Sequence, residues 1–259
     1  MVENIAASVE PPRRFHFDWV SAVLFKPKQA FARITEQLNG VWLTPLLIQT
    51  VTAVVLVLVL GYVSQTYGAG TTGEMPQIPE YYTPEQIAQI QQAMAGLQSP
   101  VFIYFFPTLI ALGKVWLGWL LVGGIIHLVS TMLGGRGNTT RAMNIVAWAG
   151  LPFAVRDIVR VLGALIGRKA LVSPGLAGFA PTNGSNLALF LAAFLALVDI
   201  YVIWHLILIV IGLRASNGLP LGKAFLAATL TIVLLLVVQG LVAYFTSSLG
   251  GLTIIRPFF

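Results

Sequence analysis

The chain has 259 residues, of which 57% are hydrophobic and 9% charged, with a mean hydropathy of +0.86. Soluble domains carry roughly 25% charged residues, so a water-covered globule is excluded, and the apolar runs have the length that a hydrocarbon core of about 30 Å requires. The formal charge of +6 is spread over short loops rather than gathered on one face, which argues for membrane topology and against nucleic acid, and the lack of cysteine excludes disulfides and thiol chemistry.

Residues 1–16 are polar, contain Pro11 and Pro12, and are expected to form a disordered tail. No cleavable signal is expected, because the first long apolar run starts near Val41. Residues 17–40 read as an amphipathic segment. Phe17, Val20 and Leu24 recur at helical spacing, and so do Phe31, Ile34 and Leu38 after Pro27. Lys26, Lys28 and Arg33 occupy polar positions. Such a basic stretch can lie among lipid headgroups or pack against the protein's own bundle, and both readings stay open.

The remainder, 41–259, reads as one membrane domain with five spans at about 43–63, 108–133, 142–165, 187–213 and 221–247. The third is interrupted by Pro152, Arg156, Asp157 and Arg160. Val101 to Pro107 is an aromatic lead-in to the second. The polar loop 64–100 holds Glu74, Glu80 and Glu85 and no lysine or arginine. Thr83, Pro84 and Gln86 predict a capped helix start there, with Ile87, Ile90 and Leu97 on one face. With the amino end inside, Arg13, Arg14, Lys26, Lys28, Arg33, Arg136, Arg141, Arg214 and Lys223 fall on the inner side, against Arg168, Lys169 and Arg256 outside. That asymmetry predicts a cytoplasmic N-terminus and an outer C-terminus.

Residues 127–136 and 205–214 share His, Leu, Gly and Arg at the first, second, eighth and tenth positions. Spans two–three and four–five therefore read as a candidate parallel repeat of one helical hairpin. The alignment sets His127 and His205 at equal depth, where they would face one another, ligate a metal or relay protons. The plainer reading gives each imidazole a hydrogen bond to a neighbouring helix. No third ligand stands at metal-site spacing, so neither metal nor cofactor is expected.

Asp199 lies within the fourth span, where a charge costs at least about 2.5–3.5 kcal/mol unless paired. Counting along the helices puts Arg156 at matching depth, so an Arg156–Asp199 pair is expected, with Arg160 joining it or pairing with Asp157. The cluster serves either to lock helix register or to carry a solute. Lys114 is expected to reach the headgroups. No nucleophile elbow, HExxH, phosphate loop or dinucleotide fingerprint is present, and each acid has an arginine within reach, so no acid dyad and no enzyme is expected.

Several segments together resemble the Yip family of membrane proteins, named for interaction with Ypt/Rab GTPases. They are Lys26 to Phe31, Trp42-Leu-Thr-Pro45, the His127 to Gly135 run, Ala149-Gly-Leu-Pro152, Trp204-His205 and Gly212-Leu-Arg214. The resemblance covers residues 17 to about 247. It implies a non-enzymatic five-span protein with a cytosolic N-terminus. Eukaryotic members act in vesicle trafficking with GTPases bound from the cytosol through a long N-terminal region. The short tail here resembles instead the prokaryotic members, some tied to exporters or envelope stress. The expectation is a scaffold, accessory or regulatory subunit in a prokaryotic plasma membrane, with the bilayer and other membrane subunits as partners. The competing expectation is a small solute or ion transporter or channel.

Overall fold

The computed structural model describes residues 14–67, 83–87, 92, 96, 98–169, 175–181 and 186–249. The tail assigned to residues 1–16, apart from its last three, and much of the 64–100 loop lie outside these. Within that loop the capping box forms: Gln86 N–H donates to Thr83 Oγ1 at 3.3 Å and Thr83 N–H donates to Gln86 Oε1 at 3.0 Å. Ile90 and Leu97 of its expected apolar face fall outside the described residues.

All regular elements among the described residues are helical. Helices α1 (Asp18–Phe25) and α2 (Pro27–Glu36) precede α3 (Leu43–Tyr67), and α4 (Phe106–Met132), α5 (Thr139–Ala149) and α6 (Leu151–Gly167) follow. Then come α7 (Asn186–Ala196), α8 (Ile200–Asn217) and α9 (Leu221–Leu249). Four stretches are long and apolar enough to cross a membrane: Leu43–Tyr67, Val101–Met132, Ile200–Asn217 and Leu221–Val242. The chain is thus an integral membrane protein, all-helical among the described residues. The second stretch includes a π-helical turn, Val101–Phe105, directly ahead of Pro107, which has no N–H to donate.

The spans expected as single helices over 142–165 and 187–213 are both broken. At Gly150, Pro152 cannot continue the ladder, and the Phe153 N–H turns back to the Gly150 carbonyl at 2.9 Å. Here α5 ends and α6 begins. The second break carries no proline. Val198 N–H bonds the Leu195 carbonyl at 3.1 Å, tightening the last turn of α7, and Asp199 is extended and caps α8. An aspartate inside an apolar run reads as one buried charge. Its ability to take backbone N–H groups is what ends the helix.

The core gathers around α5, which packs against α2, α3, α4, α6 and α8. Ile145 and Trp148 of α5 meet Phe31 and Ile34 of α2 and Leu208, Ile209 and Leu213 of α8, all at 1% exposure or less. Polar bolts hold the same region. Asn144 Oδ1 accepts from Val41 N–H at 2.8 Å, its Nδ2 donates to the Asn39 carbonyl at 3.1 Å, and Trp148 Nε1–H donates to the Val41 carbonyl at 3.0 Å. The start of α3 is therefore fixed to α5 before either helix extends away.

Within residues 17–40, helix α2 packs on the bundle. Ala30, Phe31 and Ile34 are buried against α5 and α8, while Lys26, Lys28 and Arg33 are exposed. The apolar stripe was drawn too long at its ends. Phe17 and Leu38 are 57% and 79% exposed, because Leu38 lies beyond the end of α2 and Phe17 ahead of α1.

The two matched ten-residue stretches also differ in use. Met132 ends α4 five residues after His127, whereas Asn217 ends α8 twelve residues after His205, so the histidines do not share a position relative to their helix ends. Gly134 is a turn residue with φ of 90°. Its counterpart Gly212 is inside α8, where an added Cβ would lie 2.5 Å from Ile145 and 3.1 Å from Phe31.

Candidate functional site

The break between α7 and α8 leaves carbonyls without helical partners, and a preceding segment supplies them. Leu176 N–H donates to the Leu195 carbonyl at 2.9 Å and to the Val198 carbonyl at 3.1 Å. Gly175 is the residue that permits this approach. Its φ is 54°, and a Cβ there would stand 2.6–2.8 Å from the carbonyl oxygens of Leu195, Ala196 and Val198. On the other side of the break, Asp199 Oδ1 accepts from the N–H groups of Tyr201 and Val202, both at 2.9 Å.

The second oxygen of Asp199 faces α6. Arg156 Nη1 lies 3.4 Å from Asp199 Oδ2, so the pair expected from matching depth is present. Arg156 Nε is 3.9 Å from Asp157 Oδ1, an electrostatic contact too long for a hydrogen bond. The same guanidinium lies over the Phe153 ring at 4.9 Å. Asp157 is buried, and Arg160, one turn further along α6, is half-buried. Arg160 does not join either ion pair found among the described residues. Lys114 of α4 lies within electrostatic reach of Arg156, Arg160 and Asp157, which ties it to this cluster as well as to any headgroup.

A cleft of about 290 Å³ adjoins the cluster, lined by Gly175, Leu176, Asp199, Tyr201 and Ile203 among others. It has two of the parts seen where broken membrane helices make binding sites, a capped helix start and a paired charge. A larger groove of about 430 Å³ lies against Val101, Tyr104 and Phe105, at the aromatic lead-in to α4.

His205 makes no ion pair or hydrogen bond with this cluster, although it shares the Phe153 ring with Arg156. It is buried, its ring tilts against Phe153 at 4.8 Å, and its Nδ1 lies 2.7 Å from the Ala149 carbonyl. A carbonyl only accepts, so Nδ1 carries the proton in this contact. The Gly150–Pro152 break explains the contact: with Phe153 N–H turned to Gly150, the Ala149 carbonyl has lost its ladder partner. Gln49 of α3 serves the carbonyl two residues earlier, its Nε2 donating to Ala147 at 3.1 Å. His127 is partly exposed on α4, where its own carbonyl accepts from Ser130 and Thr131 hydroxyls at 3.0 and 2.8 Å. No group of three or more His, Cys, Asp or Glu side chains that could hold a metal occurs among the described residues. Gln49, Asn144 and Gly175 were not singled out from sequence. Their partners are backbone groups at helix ends and breaks, those of Asn144 lying in the loop before α3, and only Pro152 announced a break.

Residues 21–242 match the family model described as the Yip1 domain. No curated protein and no solved structure matches the chain.

Proposed function

The chain belongs to the Yip1 domain family, and from that premise we propose that it is a non-catalytic scaffold, accessory or regulatory subunit of a larger membrane assembly. The observation that carries this reading is the closed packing between α2, α5 and α8. Phe31, Ile34, Ile145, Trp148, Leu208 and Leu213 have 0–1% exposure and form one closed core. A solute path through the bundle would have to part these side chains. The one buried histidine with suitable chemistry is engaged on a helix-break carbonyl. Under this reading the Arg156–Asp199 pair fixes the break between α7 and α8 against α6, and no reacting group is needed.

The proposed topology keeps five crossings, with α5 and α6 traversing the membrane together as one bent span. The amino end then lies in the cytoplasm and the carboxyl end outside a prokaryotic plasma membrane. The exposed, basic face of α2 is the proposed contact for a partner subunit on the cytoplasmic side. Purification in mild detergent followed by identification of co-eluting chains tests the reading. A stoichiometric membrane partner that is lost with Lys28→Glu and Arg33→Glu supports it, and a chain that elutes alone from native membranes counts against it.

The cleft at Asp199 favours a second reading, a small transporter or channel using Asp199 and Arg156. Asp199→Asn separates the two. Loss of flux in proteoliposomes with the assembly intact selects transport, whereas loss of assembly with no solute phenotype selects the scaffold.

A further inference from the structure

The donors of Arg156 and Arg160 outnumber the acceptors that face them. Asp199 Oδ1 is spent on the start of α8, so one oxygen of that carboxylate remains for cations. It receives a single guanidinium nitrogen, at 3.4 Å. Arg156 Nε is buried without a hydrogen-bond partner among the described residues. Asp157 approaches it no closer than 3.9 Å. Arg160 makes no ion pair with any described residue, and Arg156, Lys114, Asp157 and Asp199 lie within electrostatic reach of it. In hydrocarbon each such N–H must find an oxygen.

Depth indicates where that oxygen comes from. Arg160 stands seven residues before Gly167 at the end of α6, about 10 Å along the helix. A leaflet's hydrocarbon is about 15 Å thick, so this guanidinium can reach the headgroup boundary on the α6 C-terminal side. The lipid-facing side of α6 is the opposite one, where Ile158, Val159, Leu162, Leu165 and Ile166 are 45–83% exposed, while Asp157 and Ala164 on the face of Arg160 are buried. A guanidinium fork matches a phosphate better than it matches water, since two parallel N–H groups meet two oxygens.

We infer that Arg160, with the free edge of Arg156, forms a site for an anionic phosphate in the leaflet at the α6 C-terminal end, supplied by a phospholipid headgroup or by a free anion. The site does not depend on the scaffold reading, because a lipid can occupy it whether or not a partner subunit is bound.

Native mass spectrometry of the full purified chain tests it. The delipidated protein is titrated separately with phosphatidylglycerol, with diacylglycerol and with inorganic phosphate. The wild type is expected to take up phosphatidylglycerol at about tenfold lower concentration than diacylglycerol. Arg160→Gln is expected to remove that preference, and Lys28→Gln with Arg33→Gln, on the α2 face, to leave it intact. If inorganic phosphate binds alone and displaces the lipid with the same Arg160 dependence, the source is the free anion. If the lipid adduct survives phosphate, the source is the headgroup. Equal uptake of phosphatidylglycerol and diacylglycerol by the wild type overturns the proposal without any variant, as does an unchanged preference in Arg160→Gln of normal helical content.

Discussion

Asp199 uses its two oxygens for separate tasks, one on the backbone of α8 and one on Arg156. Substitutions can therefore divide them. Asp199→Asn keeps a competent cap and removes the charge. It is expected to cost about 2 kcal/mol, below the 3–5 kcal/mol or so of a fully buried pair, since the Arg156 side chain retains 26% exposure. Asp199→Ala should lose about 1 kcal/mol more, because the cap goes as well. Unfolding of the detergent-solubilised protein by titrated denaturing detergent measures both, and equal losses would contradict the division. His205→Phe keeps ring packing on Phe153 but leaves the Ala149 carbonyl bare, with an expected loss of about 1–2 kcal/mol. The same assay run with and without added zinc or chelator should show no difference, since His205 acts here as a donor to a carbonyl. The Arg156–Asp199 pair was legible from sequence because opposite charges in apolar spans must find each other at equal depth. The cap was not. Nothing in the apolar run Leu191 to Val198 marks a helix end, so the carboxylate was read as a charge alone.

Among the elements, α2 differs from the spans in what holds it. Lipid-exposed helices gain little from hiding apolar surface, because the bilayer is as apolar as leucine. Helix α2, with its charged face exposed, is where burial from water contributes fully. Phe31→Ala should consequently cost about 3–5 kcal/mol, enough to detach the segment. Limited proteolysis at Lys26, Lys28 and Arg33 is the readout, with cleavage rising steeply while the spans stay intact. Gly212→Val attacks the same contact from α8, since an added Cβ would meet Ile145 and Phe31 at 2.5 and 3.1 Å. It should raise the same cleavage, and Gly134→Ala, at a turn that is strained for another reason, should not. The helical period of residues 17–40 could be read directly, and the division into α1 and α2 at Lys26 was not drawn from it. The destination of the apolar face could not, because a stripe of Phe31 and Ile34 looks the same whether a lipid or a helix will cover it.

At the scale of the molecule, the buried core lies towards one end of the helix bundle, around α5, where the loops 37–42, 133–138 and 218–220 also converge. Composition alone was sufficient to establish a helical membrane protein. The number of continuous crossings was not legible, since hydropathy averaged over a window passes smoothly across Gly150 and Leu197 while hydrogen bonding does not. The absence of cysteine makes the proposed topology directly testable. Single variants Glu36→Cys and Arg136→Cys should react with an impermeant maleimide only from the cytoplasmic side, and Glu85→Cys only from outside. Labelling of all three from one side would overturn the proposed arrangement.

Gly175 bears on how the chain is made as well as on how it stands. It leaves the ribosome ahead of Leu195, Ala196 and Val198, the residues whose carbonyls it later covers. While α7 and α8 are being threaded into the bilayer, those carbonyls must be kept hydrated or shielded by the insertion machinery. Only afterwards can the earlier segment fold back over them. A bulky residue at 175 should thus act during biogenesis, as an insertion intermediate that lingers and is degraded.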